Sequence, residues 1–98
     1  FGVTGAALIN NKTNEESQIS IHGFFLAIGH HPNSEVFKPY LETNQEGYII
    51  TDGKTQKTNV PGVFAAGDVQ DPIYRQAIVA AASGCRAAMD AEKFLQEN

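Results

Sequence analysis

The sequence has 98 residues, of which 42% are hydrophobic and 18% charged, and its formal net charge is −4. This length suits one small domain of ordinary globular composition. The seven Lys and Arg residues are scattered, so no basic stripe is present to neutralise phosphates, and no nucleic-acid partner is expected. No apolar run approaches the ~20 residues that a membrane-spanning helix needs, so no membrane association is expected. The single cysteine, Cys85, excludes an internal disulfide and fits a reducing cytoplasm.

The first third of the chain predicts a meander of strands. Gly5–Ile9 is apolar, residues 10–14 are dense in turn-forming side chains, and residues 18–21 alternate between polar and apolar. The two runs on either side of the turn therefore predict an antiparallel pair. Residues 24–28 form a continuous apolar stretch, which predicts a strand buried on both faces.

A break follows at Gly29, His30, His31 and Pro32. The two histidines are adjacent, so in an extended chain their side chains diverge, and no further ligand cluster lies near them in sequence. No metal site is therefore expected, and the segment is interpreted as a hinge turn. Residues 35–41 then predict one or two turns of helix.

The next segment predicts a hairpin and a further strand. The pair Asp52-Gly53 favours a two-residue turn between a strand over residues 48–51 and an exposed return strand over residues 56–59. The short apolar run over residues 63–66 predicts the next buried strand.

A long helix and several aromatic side chains are expected to supply the core. The helix is predicted from about residue 75 to residue 95, because apolar residues recur at helical spacing. Gly84 predicts a close approach of the helix to a sheet, and Cys85 is expected to be a buried, unreactive hydrophobe. The predicted apolar face consists of Ile78, Ala81, Ala82, Cys85, Ala88, Met89 and the neighbouring Glu92. The aromatic side chains expected in the core are Phe24, Phe25, Tyr40 and Phe64.

A turn that carries a carboxylate joins the last predicted strand to this helix. The pair Gly67-Asp68 follows the strand directly, at the carboxyl end of the predicted sheet, where open α/β folds bind ligands. A carboxylate accepts hydrogen bonds from sugar hydroxyls, and a helix N-terminus offers free N–H groups and partial positive charge. On these residues alone, two plainer interpretations stay open. Asp68 could simply cap its turn, and the residues from Tyr74 to Ala77 could be an ordinary helix start with a solvated Arg75.

The pair Asp71-Pro72 also has two interpretations. Asp at the N-cap with Pro at the first helical position is a good helix-start pattern. Alternatively the helix starts later and Asp71 stays in the loop, which the resemblance described next favours.

Residues 58–95 resemble the carboxyl-terminal end of the bacterial-type, low-molecular-weight thioredoxin reductases. The matching stretches are PGVFAAGDV at residues 61–69, Asp71, YRQA at residues 74–77, SGC at residues 83–85, and AA at residues 87–88. Upstream, AIGHHPN at residues 27–33 resembles the crossover between the two domains of that family. The resemblance covers nearly the whole chain.

The resemblance implies an α/β fold, the C-terminal part of a flavoprotein with two dinucleotide-binding domains. Its expected parts are a strand meander, a β-hairpin, a buried strand and a long C-terminal helix. Residues 1–31 would end the NADPH-binding domain, and residues 32–98 would form the C-terminal part of the FAD-binding domain. The crossover would let one domain rotate against the other.

The same resemblance implies that the chain helps to hold FAD. Asp68 would touch the ribityl–phosphate region, and residues 74–77 would sit under the pyrimidine end of the isoalloxazine. Gln76 would donate its side-chain amide to a flavin carbonyl. The implied cofactor-binding residues are Gly67, Asp68, Val69, Tyr74, Arg75, Gln76 and Ala77. No catalytic residue is assigned within this chain, because the Cys-x-x-Cys pair and the Gly-rich fingerprints of the family are not among its residues.

The function implied is that of part of a cytoplasmic, homodimeric enzyme that uses FAD and NADPH to reduce the disulfide of thioredoxin. By itself the chain is expected to be inactive. Three alternatives stay open from the sequence. One is a related flavoprotein, either the flavin subunit of alkyl hydroperoxide reductase or a ferredoxin–NADP reductase of the same fold. The others are a non-catalytic α/β binding module and a truncated chain with no function of its own.

Overall fold

The structure is a computed structural model that describes residues 2–97; Phe1 and Asn98 lie outside the described residues. The elements in chain order are β1 (Gly5–Ile9), β2 (Glu16–Ser20), two 3₁₀ turns (Glu35–Phe37 and Gly67–Val69) and α1 (Ala77–Glu97). This content agrees with the predicted α/β class, although the strands predicted after residue 21 do not form.

Strands β1 and β2 form the antiparallel pair that the sequence predicts, with Gly5 opposite Ser20 and Ile9 opposite Glu16. The Asn10 side chain closes the connecting turn by accepting the Lys12 backbone N–H at 2.9 Å. Among the residues described, this hairpin contacts no other helix or strand. It therefore projects from the rest, and the radius of gyration is 20.1 Å, whereas a compact chain of this length would have about 13 Å.

The prediction of a buried strand over residues 24–28 is wrong in this structure. The segment is irregular, and the Phe25 side chain is 93% exposed. A strand needs a neighbour for its backbone groups, and within residues 2–97 the sheet consists of β1 and β2 with no third strand beside them. Phe24 and Tyr40 are exposed too, so they do not join the core as predicted.

The core lies in the second part of the chain, where Leu41, Ile49 and Ala65 are buried with Val60 and Val69 packed against them. A tight turn over residues 43–49 contributes Ile49, and a single bridge between Thr43 and Ile49 closes it.

The predicted hairpin at Asp52-Gly53 is also wrong. The Asp52 carboxylate accepts the backbone N–H groups of Lys54 and Thr55, at 2.9 and 2.6 Å, which makes a wider turn than a two-residue hairpin. Residues 48–51 and 56–59 form no strand pair; Lys57 instead bridges forward to Phe64.

The segment over residues 63–66 likewise has only this isolated bridge, so the predicted strand reduces to a single paired residue. Its burial is uneven, because Ala65 is buried whereas Val63 is 38% exposed. The predicted return strand was expected to be exposed, but its first residue, Gln56, is only 5% exposed.

Helix α1 confirms the predicted long helix, but it starts at Ala77 rather than near Arg75. The backbone of Arg75 has φ 48°, which is incompatible with a right-handed helix. Ser83 is 1% exposed and faces the core, and the Phe94 ring packs edge-on against Phe64 at 6.3 Å between centroids.

The predicted apolar face of α1 points to the opposite side from the one that packs. Ile78 and Met89 are 79% and 65% exposed, and Cys85 is exposed rather than buried. A Cβ added to Gly84 would meet nothing within 4 Å, so no close approach explains this glycine.

Within residues 2–97, no helix combines the length and apolarity that crossing a membrane requires.

Candidate cofactor-binding cleft

The turn Gly67–Val69 is anchored from two sides. The Gly67 backbone N–H donates to Oγ of Ser83 at 2.8 Å, and the Ser83 hydroxyl donates to the Ala80 carbonyl at 2.9 Å. On the other side, the Val69 carbonyl accepts the Ile49 N–H at 2.9 Å. Gly67 has φ 81°, a conformation that glycine adopts without a steric cost. The turn is thus fixed between helix α1 and the core.

Asp71 organises the loop between this turn and the helix. Its Oδ1 accepts the N–H groups of Ile73 and Tyr74 at 2.9 and 3.0 Å, and its Oδ2 accepts that of Arg75 at 3.2 Å. These bonds, first that from Tyr74, hold the pKa of the Asp71 carboxyl below its usual value. Asp71 therefore belongs to the loop and is not the N-cap of the helix, which begins at Ala77.

A cleft of about 320 Å³ opens beside the anchored turn. Asp68, Val69, Arg75, Tyr48 and residues 30–33 line it. The cleft thus brings together the Gly-Asp turn and the segment that the sequence interprets as a hinge. Ser34 supports that segment, since its hydroxyl donates to the Gly47 carbonyl.

The structure brings three of the seven predicted cofactor-binding residues, Asp68, Val69 and Arg75, into this cleft. The other four do not line it. Gly67 supports the turn, and Tyr74 is 65% exposed. The side chain of Gln76 is exposed and its carbonyl accepts the Ala80 N–H, while Ala77 is the first residue of α1.

Sequence reasoning missed Tyr48, which is 5% exposed and lines the cleft. Its hydroxyl accepts a hydrogen bond from Nη1 of Arg75 at 3.4 Å. The only signal in the sequence was a strand pattern that did not form, so nothing placed Tyr48 next to Arg75. For the segment at residues 30–33, the sequence predicts a hinge turn and no contact with a ligand.

The charges at the cleft are mixed. Asp68 supplies a carboxylate and Arg75 a guanidinium, and His30 and His31 also line the cleft. Nζ of Lys38 lies 2.9 Å from a carboxylate oxygen of Glu35 and, mainly through this hydrogen bond, lowers the Glu35 pKa. No group of three or more metal-ligating side chains forms in the part of the chain that the structure describes.

These groups fit part of a dinucleotide. Asp68 offers acceptors for sugar hydroxyls, and Arg75 offers a cation for an electron-rich ring edge or a phosphate. Ligand pockets usually measure about 300–1,000 Å³, so a cleft at the lower limit accommodates a section of FAD rather than all of it.

Comparison with known proteins points to one family. The family model described as pyridine nucleotide-disulphide oxidoreductase matches residues 2–84. The chain is 53% identical over 91 residues to a thioredoxin reductase of Debaryomyces hansenii, which aligns 93% of this chain with 28% of that protein. It is also 53% identical over 93 residues to a thioredoxin reductase of Dictyostelium discoideum, covering 95% of this chain and 29% of that protein.

Solved structures agree. The thioredoxin reductase from Giardia duodenalis superposes with a TM-score of 0.76 at 43% identity, over 95% of this chain and 31% of that one. The Lactococcus lactis thioredoxin reductase gives 0.76 at 36% identity, over 97% and 31%. The resemblance drawn from the sequence is confirmed, and the chain spans about 30% of the length of the relatives that it matches.

Proposed function

Since the chain belongs to the pyridine nucleotide-disulphide oxidoreductase family, we propose that it forms part of an FAD-dependent enzyme that uses NADPH to reduce the disulfide of thioredoxin. The observation that carries this proposal is the anchored turn Gly67–Val69, which holds Asp68 in a cleft shared with Arg75. The relatives of this chain that are named thioredoxin reductase support the choice of thioredoxin as the electron acceptor.

The two parts of the chain would belong to different domains of that enzyme. Residues 1–31 would end the NADPH-binding domain, and residues 32–98 would belong to the FAD-binding domain. In support, the hairpin β1–β2 contacts no other helix or strand of the described chain, whereas residues 41–69 share one core and helix α1 contacts the turn Gly67–Val69. Gly29, with φ 132°, lies where the two parts meet and suits a hinge.

The residues of the cleft would bind and orient FAD. The Asp68 carboxylate would accept hydrogen bonds from ribityl hydroxyls. The N-terminus of helix α1 lies close in sequence to Arg75 of the cleft. The first N–H groups and the partial positive charge of a helix N-terminus stabilise a developing anion by typically 0.3–1 kcal/mol. When bound, FAD supplies electron transfer between NADPH and a disulfide. Gly67, Tyr74, Gln76 and Ala77 would contact it only where FAD extends beyond the cleft.

The enzyme would act as a homodimer in the cytoplasm. The single cysteine of the chain, Cys85, is compatible with a reducing compartment. Cys85 is exposed on α1, and it is the single cysteine of this sequence. The redox-active Cys-x-x-Cys pair would therefore belong to a part of the enzyme outside these 98 residues.

The test is a turnover assay on the full gene product loaded with FAD. We expect NADPH to be oxidised in step with the appearance of thiols on oxidised thioredoxin, and no comparable rate without thioredoxin. The proposal would be contradicted if the flavin-loaded protein oxidised NADPH only with ferredoxin or with the peroxidase partner of an alkyl hydroperoxide reductase.

A further inference from the structure

Tyr48 is held rigidly at the wall of the cleft. Its backbone N–H donates to Oδ1 of Asn44 at 3.0 Å, and its carbonyl accepts the Asn44 N–H at 2.9 Å. The ring is buried, at 5% exposed. A buried tyrosine requires a partner for its hydroxyl, and the partner that the structure provides is the Arg75 guanidinium at 3.4 Å.

Arg75 is held at its backbone as well as at its guanidinium. Its φ of 48° lies in the left-handed region, which residues other than glycine rarely occupy, and the Asp71 carboxylate accepts its N–H at 3.2 Å. Such backbone conformations cluster at binding and active sites, where the surrounding structure maintains them. Tyr48 and Asp71 therefore fix the two ends of one arginine, and the fixed residue lines the cleft with Asp68.

We propose that Tyr48 is a positioning residue that acts through Arg75: by accepting a hydrogen bond from the guanidinium, it keeps that charge directed at a flavin bound beside Asp68. This inference rests on the proposed function, because it concerns the flavin that the cleft would hold. Tyr48 itself supplies no charge and no proton to the reaction.

The expected consequence is electrostatic. Reduced flavin carries negative charge near N1 and O2, so a cation that is fixed close to that edge favours the reduced over the oxidised cofactor. At 3.4 Å the hydrogen bond is long. Its loss should therefore change the direction of the guanidinium more than the stability of the fold.

The test compares flavin midpoint potentials in the full gene product loaded with FAD. Arg75→Gln removes the cation and should lower the affinity for reduced relative to oxidised flavin by about tenfold, which for a two-electron couple is about 30 mV. Tyr48→Phe removes only the hydroxyl and should lower it by about threefold. In the Arg75→Gln background, Tyr48→Phe should have no further effect, because its action requires the guanidinium.

Tyr40→Phe is the matched control, since Tyr40 is 73% exposed and lies outside the set of residues that line the cleft. It should leave the potential unchanged. The positioning role is overturned if the wild-type protein binds FAD but Tyr48→Phe keeps the wild-type potential. It is also overturned if Tyr48→Phe shifts the potential equally with and without Arg75.

A second variant covers the case in which Tyr48→Phe fails to fold. Arg75→Lys keeps the charge but replaces the planar fork by a flexible ammonium, so it should shift the potential in the same direction as Arg75→Gln. A wild-type potential in Arg75→Lys would overturn the positioning role. A wild-type protein that takes up no FAD would instead contradict the proposed function, and this inference with it.

Discussion

At the scale of single residues, the cleft depends on a few side chains that fix backbone. The Ser83 hydroxyl accepts a hydrogen bond from the Gly67 N–H, and the Asp71 carboxylate accepts hydrogen bonds from three N–H groups of the following loop. The sequence predicted cofactor contacts for Asp68 and Arg75 because they lie in stretches shared with a known family, and both residues line the cleft. It could not identify Tyr48 or the role of Ser83, because both act through contacts between segments that are distant in sequence.

Ser83→Ala should destabilise the protein, because Ser83 is buried and its hydroxyl is the acceptor of the Gly67 N–H, which would lose that hydrogen bond. A buried donor that loses its acceptor typically costs about 1–3 kcal/mol. Urea denaturation of the full gene product would measure the loss. Ser17→Ala, at an exposed position of β2, is the control and should stay within about 0.5 kcal/mol of wild type. Equal stability of the two variants would contradict the anchoring role of Ser83.

The pKa of Asp71, which hydrogen bonds to the carboxylate lower, makes stability depend on pH at the acid end. Because the folded pKa lies below the unfolded value of about 3.9, this stabilisation is present above about pH 4. It is lost as the pH falls through the lower, folded value. Denaturation of wild type and Asp71→Asn from about pH 6 to about pH 2 should therefore show a difference in stability that shrinks below about pH 4. A difference that stays constant across this range would argue against the charged Asp71 as the acceptor.

At the scale of elements, the helix was predictable from its periodicity, but the face that packs was not. Alanines occur on both sides of α1, so the apolar pattern over Ile78 and Met89 gave the wrong side. Polar contacts identify the packed side in the structure. Asp90 accepts the Gln56 N–H at 2.8 Å, and the Gln56 side chain donates to the Ala65 carbonyl at 2.8 Å.

The failed strand predictions have a related cause. Residues 24–28 have a strand composition, but a strand forms only where a neighbour supplies hydrogen bonds. The predicted hairpin at Asp52 failed because the carboxylate of Asp52 hydrogen-bonds to the loop backbone and widens the turn. Composition and turn patterns do not predict which segment a strand will pair with.

Asp90→Ala tests the packed side of α1. It should cost about 1–3 kcal/mol, because the buried segment at Gln56 loses the acceptor of its backbone N–H. Lys93→Ala, at an exposed position one turn further along the helix, is the control and should change stability by less than about 0.5 kcal/mol. The shift in urea midpoint at constant m-value is the measurement. If the two variants denature at the same midpoint, the assignment of the packed face is wrong.

At the scale of the whole molecule, the chain is much more exposed than a folded domain of its size. Its accessible surface is 8027 Å², whereas a compact 10.6 kDa protein would expose about 5,500 Å². It extends over 64 × 27 × 23 Å and leaves Phe25 and Ile28 more than four-fifths exposed. These features agree with a chain that spans about 30% of the length of the relatives that it matches.

The overall shape also explains how far sequence reasoning reaches here. The α/β class and the resemblance to a flavoprotein reductase were predictable, because they depend on local patterns and on specific stretches such as residues 61–69. Burial was not predictable, because an apolar side chain indicates only a tendency to be buried. Whether it is buried depends on which other residues pack against it.

The most direct test of the central claim is the affinity of the full gene product for FAD, measured with and without the Asp68 carboxylate. We expect the wild-type protein to hold FAD and to show the visible absorption of a bound flavin. Asp68→Ala should weaken FAD binding by about ten- to a hundredfold, since a hydrogen bond to a charged group is worth about 1.5–3 kcal/mol. Glu92→Ala, on the exposed side of α1, should leave the affinity unchanged. A colourless protein that takes up no FAD, or an Asp68→Ala variant with wild-type affinity, would contradict the account.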